Sequence, residues 1–215
     1  MNTYFTNVDG AIIINNMIDA IYENKQHLSD IDGLIGDGYH GINMNKGFQL
    51  CKTKLETEPG DLAYSALALS KILMLKIGGS MGPLYGKLYN GFAKSLEGKE
   101  QISKIEMGEA LNAMLASIQK ISPAQKGDKT LMDTLIPAID AYNKALEEEK
   151  DFSEALLAMK AAAQEGRDST KDMVAKLGRA SRLGERSRGV IDAGSCSCCL
   201  LLETLADSSI KLLNK

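Results

Sequence analysis

Apolar residues recur at three- and four-residue spacing along most of the chain, while strict apolar–polar alternation over a strand's length is hard to find, so the pattern predicts an all-α fold. The first helix is expected over 8–28, with Ile13, Met17, Ile21 and Leu28 on or near one face. Further helices are expected over 42–55, 61–77, 81–96, 104–121, 131–149, 152–170 and 195–213. That makes an eight-helix bundle, held by buried stripes more than by helix propensity.

The segments between these helices are of two kinds. Glu58-Pro59-Gly60 and the stretch from Glu97 to Glu100 are plain turns. Four others are Gly-rich, hold Asp, Ser, Arg or Lys, end at a new helix and alternate with the plain ones. In an up-and-down bundle successive loops lie at opposite ends, so the alternation predicts that the four special loops meet at one end and build a shared site.

Composition narrows what such a site would take. The 215 residues suffice for one core and no Pro- or Ser-rich linker divides them, so a single domain over 1–215 is expected. A net charge of -3 argues against a nucleic-acid partner, which wants a basic face. The anion expected is small and metal-bound. Residues 1–9 lack a basic region followed by an apolar run, and the most apolar stretch, 62–77, is broken by Lys71 and Lys76 and too short to span a bilayer. No membrane association and a cytoplasmic location are therefore expected. Cys51 stands alone, while Cys196 and Cys199 form a C-x-x-C beside Cys198. A zinc site needs two more ligands and the histidines are His27 and His40, so small residues opening a helix is the favoured reading.

In the first special loop, Asp30, Asp32 and Asp37 lie within eight residues on a glycine-rich chain, a donor set suited to a hard cation such as Mg2+. The helix expected from Ile42 would add backbone N–H groups and a positive dipole end for phosphate, although the same aspartates also suit turn and cap roles. His40 would serve there as a nucleotide contact first, with general base or nucleophile as alternatives; His27 suits a helix-end cation. The second loop, from Gly78-Gly79-Ser80-Met81 through Gly86, lets backbone approach a ligand but has no Walker pattern, and Gly82 and Gly86 equally suit close helix packing. In the third, Lys126 to Thr130, Asp128 or Thr130 is expected to cap the next helix. In the fourth, 178–194, Arg179 is favoured as the phosphate-facing guanidinium, because its glycine neighbour leaves room beside it.

Together these pieces, Asp32-Gly-Leu-Ile-Gly-Asp37-Gly-Tyr-His40-Gly-Ile-Asn43, Gly78 to Gly86, Gly127-Asp128-Lys129-Thr130 and Gly178-Arg179 to Asp192-Ala193-Gly194, resemble the ADP-binding L subunit of bacterial dihydroxyacetone kinases over essentially the whole chain. The resemblance implies an eight-helix, barrel-like bundle with ADP or ATP at one end. It implies that His40, Gly41, Ile42 and Asn43 line the phosphates with Ser80 and Met81, that Ser122 and Leu131 flank the base, that Arg179 contacts the nucleotide, and that Asp192, Ala193 and Gly194 close the pocket. The family's three loop aspartates hold two Mg2+ ions. Two match as Asp32 and Asp37, but Tyr39 stands at the third position, where a neutral phenol is a poor Mg2+ ligand, and Asp30 is the nearby candidate to compensate. Met81 stands where many relatives have serine.

The activity implied is phosphotransfer to dihydroxyacetone or a related short-chain ketose held by a separate K subunit, with no catalytic residue assigned in this chain. A phosphohistidine-carrying M subunit of the phosphotransferase system is favoured as donor. An ATP-dependent erythrulose-type subunit and a regulatory or structural paralogue impaired at Tyr39 are the alternatives. A homodimer stays open.

Overall fold

The computed structural model describes residues 2–215. Its first helix, α1 (Asn7–Ile35), starts where the Thr6 hydroxyl accepts the Asp9 N–H and runs seven residues past the expected end. Ile31 and Ile35 extend the apolar stripe beyond Leu28, and the chain leaves the helix only at Gly36. Asp30 and Asp32 are therefore helical rather than in a loop, and His27 lies well inside the helix instead of at its end.

The remaining helices follow the periodicity closely: α2 (His40–Thr57), α3 (Leu62–Lys76), α4 (Met81–Leu96), α5 (Lys104–Gln119), α6 (Met132–Glu147), α7 (Phe152–Ser169) and α8 (Ala193–Leu213). Each helix packs on the next and α8 returns to α1, so the bundle closes on itself as a barrel of eight α-helices among the described residues. Ile13, Ile14, Ile21, Phe48, Leu69, Leu111 and Leu135 fill its interior with no exposed surface.

Two short strands have no counterpart in the helical reading. β1 (Tyr4–Thr6) and β2 (Gln101–Ser103) pair antiparallel with Phe5 opposite Ile102, and three residues are too few for alternation to register. They clip the plain end of the bundle shut. There Asn7 donates to Leu96 O and Lys99 O and accepts the Ala63 N–H, and Phe5 stacks on Phe152 with ring centroids 6.1 Å apart. Among the described residues no helix is long and apolar enough to cross a membrane.

Candidate functional site

Up-and-down topology puts the starts of α2, α4, α6 and α8 at one end of the bundle and those of α1, α3, α5 and α7 at the other. The two ends are finished differently. At the plain end, side chains of Thr6, Asp61, Ser103 and Asp151 each cap a helix. At the opposite end, Tyr39, Ser80 and Leu131 occupy the N-cap positions of α2, α4 and α6 and make no side-chain cap bond. Converging helix starts present positive dipole ends, an arrangement suited to an anion.

Between these helix starts lies a cavity of about 450 Å3 to which all four special loops contribute. Asp32, Asp37, His40 and Asn43 come from the first loop and its flanking helices, Ser80 and Met81 from the second, Ser122 and Leu131 from the third, and Arg179, Asp192, Ala193 and Gly194 from the fourth. Gly41 and Ile42 do not line it. Gly41 is buried where α2 crosses α1, and the Ile42 N–H donates to Ser29 Oγ at 3.2 Å while its side chain faces solvent. Tyr39 is 57% exposed, outside the cavity lining. In the second loop, Gly78 and Gly79 line the cavity with open space around them, whereas Gly82 and Gly86 press on α3 at Ile77 O and Met74 and are packing glycines.

The carboxylates occupy unequal environments. Asp32 accepts the His40 N–H at 3.2 Å, and Asp37 accepts the Tyr39 N–H at 3.2 Å and pairs with Arg179. Burial pushes the Asp32 carboxyl up, with the neighbouring Asp37 adding to the shift. Partial burial also acts upward on Asp37 but is outweighed by the Tyr39 N–H, the Asp32 hydrogen bond and the Arg179 charge, so Asp37 is held down. The chain's own cation thus sits on the carboxylate facing the cavity. Asp30 does not compensate for Tyr39: two helical positions from Asp32 is more than half a turn, and its carboxylate accepts from Gln26 at 2.8 Å. Among the described residues no group of three or more His, Cys, Asp or Glu side chains is placed to hold a metal ion. Two adjacent carboxylates open to a phosphate-sized space fit one Mg2+ that completes its shell with phosphate and water oxygens, rather than two protein-held ions.

Ser197 Oγ lies 2.8 Å from His40 Nε2 and 2.6 Å from the Tyr85 hydroxyl, a buried relay that orients the imidazole. Burial depresses the His40 pKa to about 4 against the opposing pull of Asp37, so the ring is neutral near pH 7. The sequence assigns no role to Ser197, whose position reads as helix core, or to Tyr85, which lies inside the second Gly-rich motif.

The third loop does not cap α6 through Asp128, which accepts the Gln125 N–H; Thr130 Oγ1 accepts the Met132 N–H at 3.2 Å, and Asp133 accepts the Thr130 N–H at 2.8 Å. All four cysteines are free and buried, with Cys196, Cys198 and Cys199 in the opening turns of α8 and their thiols pushed up by burial.

Asp192 caps α8 by accepting the Ser195 N–H at 2.7 Å, and burial raises its pKa to about 6. A carboxyl raised in the folded state favours folding below its unfolded pKa and loses that contribution as pH rises through the folded value. Asp192→Asn keeps the cap and removes the charge. Its stability relative to the parent is expected to improve between about pH 4 and 6 and level off above, by up to about 3 kcal/mol. Urea unfolding across pH measures this, and a pH-independent gap would contradict the buried charge.

Residues 34–207 match the DAK2 domain family. The chain is 35% identical over 198 residues, 92% of its length and 94% of the other, to the PEP-dependent dihydroxyacetone kinase 1 ADP-binding subunit DhaL of Listeria innocua. It is 36% identical over 88% of its length and 91% of the other to the PTS-dependent ADP-binding subunit DhaL of Lactococcus lactis. In structure it is similar to the dihydroxyacetone kinase from C. freundii in complex with AMP-PNP and Mg2+, with a TM-score of 0.70, 25% identity, and coverage of 93% of this chain and 33% of that one.

Proposed function

The chain belongs to the DAK2 domain family, and from that premise we propose that it is the nucleotide-carrying subunit of a dihydroxyacetone-type kinase, one domain that holds Mg-ADP or Mg-ATP and passes the terminal phosphate to a short-chain ketose on a partner. The observation that carries this reading is the convergence of the α2, α4 and α6 starts on a cavity that also holds Asp32, Asp37 and Arg179.

Asp32 and Asp37 would hold magnesium, which when bound neutralises phosphate charge and aligns the transferring group. The N-terminus of α4 and the open backbone at Gly78 and Gly79 would receive phosphate oxygens, while the apolar wall of Ile118, Ile121, Pro123, Ala124 and Leu131 suits a base. Arg179, which pairs with Asp37, would supply the cavity's guanidinium to the phosphates. His40 is neutral and fixed by Ser197, so it acts as a hydrogen-bonding contact rather than a cation.

Leu34, Tyr39, Ile42, Leu75 and Ile121 are exposed apolar side chains at this same end of the bundle, which supports docking of a ketose-binding subunit here, over the site. The PEP- and PTS-dependent names of the DhaL relatives support a phosphohistidine-carrying protein as donor and a cytoplasmic setting. Mixing the chain with a ketose-binding subunit, dihydroxyacetone and the phosphorylated donor should yield ketose phosphate. Product from ATP alone would favour the ATP-dependent form, and none from either source would contradict kinase function. The impaired-paralogue reading is less well supported, because one metal still has two carboxylate ligands. Tyr39→Asp is expected to tighten Mg2+ binding to the ADP-loaded chain about tenfold, by calorimetry, with an unchanged affinity showing that position 39 lies outside the metal's reach.

A further inference from the structure

Lys129 is the one basic side chain that the described residues bury almost completely, at 2% exposure, and it adopts a left-handed backbone (φ 61°) that favours glycine. Its Nζ lies 2.8 Å from Thr170 O, 3.1 Å from Met173 O, 2.7 Å from Ser187 O and 2.6 Å from Val190 O. Four oxygens around a group with three N–H bonds form a carbonyl cage of the kind that coordinates a bare monovalent cation. No carboxylate among the described residues forms an ion pair with it; Asp192 and Asp172 act only from further away.

The four carbonyls are not scattered. Thr170 and Met173 lie where the chain leaves α7, and Ser187 and Val190 lie where it returns to α8. The ammonium therefore joins both sides of the neck of a long loop, with Gly189 N–H donating to Lys171 O at 2.7 Å beside it. Beyond the neck, Arg179 projects onto the cavity and reaches Asp37.

We propose that Lys129 is a positioning residue whose ammonium acts as a built-in monovalent cation, closing the neck of the 170–190 loop and so holding Arg179 over the cavity. Closure of the neck stands on the geometry alone; its consequence for nucleotide rests on the function proposed above.

The test is limited trypsin digestion of the full chain, because Lys176, Arg179, Arg182, Arg186 and Arg188 lie in or beside the loop. Lys129→Ala is expected to be cut between Lys176 and Arg188 at least about tenfold faster than the parent. Ammonium or potassium chloride should slow that cleavage again, and tetramethylammonium chloride at equal ionic strength should not, being too large for the cage. Lys129→Met fills the cage with a neutral group, so it should open the loop without salt rescue. Equal cleavage of parent and Lys129→Ala, identical behaviour in all three salts, or loss of helical circular dichroism in both variants would overturn the proposal. Mg-ADP affinity of Lys129→Ala should fall and recover with ammonium in step with cleavage. A loop that closes without any change in affinity overturns the link to nucleotide and leaves the neck standing.

Discussion

Asp37→Asn is expected to weaken magnesium-dependent ADP binding by about 100-fold, measured by calorimetry. The side chain is partly exposed and makes no buried contact the fold needs, so asparagine should leave the melting temperature nearly unchanged. It keeps an acceptor for the Tyr39 N–H but removes half of the carboxylate charge available to a cation, because Tyr39 and Asp30 add none. Loss of one of two charged ligands at close range corresponds to about 3 kcal/mol. The same substitution at Asp30 is the control. Its carboxylate holds Gln26 away from the cavity, so Asp30→Asn should bind as the parent does. Equal losses at both positions would mean a diffuse field rather than a ligand pair.

The second large effect concerns the fold beneath the site. A Cβ at Gly41 would stand 1.8 Å from Lys25 O and 2.8 Å from Ser29 Oγ, so alanine there must push α2 off α1. The atom in the way is backbone inside a helix and cannot rotate aside. Gly41→Ala is expected to cost about 3 kcal/mol, roughly 6–12 °C in melting temperature for a domain of this size. It should also weaken ADP binding, because His40 and Asn43 ride on the displaced turn and the Ser29 bond to the Ile42 N–H is lost with it. Gly78 gives the contrast: nothing lies within 4 Å of a Cβ there, and Gly78→Ala should change stability by no more than about 0.5 kcal/mol. Matching melting shifts for the two variants would contradict the crossing argument.

Gly41 also marks the limit of what the sequence discloses. The alternation of plain and Gly-rich segments is a property of the linear chain, and with up-and-down topology it correctly gathers four distant loops at one end. Helix spans were legible because each carries its own stripe. What a local pattern cannot carry is which neighbour a residue meets. Gly41 reads as a phosphate-loop glycine, yet the residue it accommodates is Lys25 on another helix. Lys129 sits in a polar turn between two expected helices, and its partners lie 41 to 61 residues further on. Asp192 reads as a loop end but is a half-buried cap. The end of α1 was misplaced for the opposite reason: three aspartates and two glycines from Asp30 to Asp37 suggest a loop, while Leu28, Ile31 and Ile35 keep the helical stripe going through half of it.

If this end of the bundle holds nucleotide through metal on Asp32 and Asp37, ADP titrated into the purified chain with magnesium and then with excess chelator reveals it. One ADP per chain, bound with magnesium and released by chelator, is the expected result; no binding, or binding that chelator leaves untouched, would contradict it.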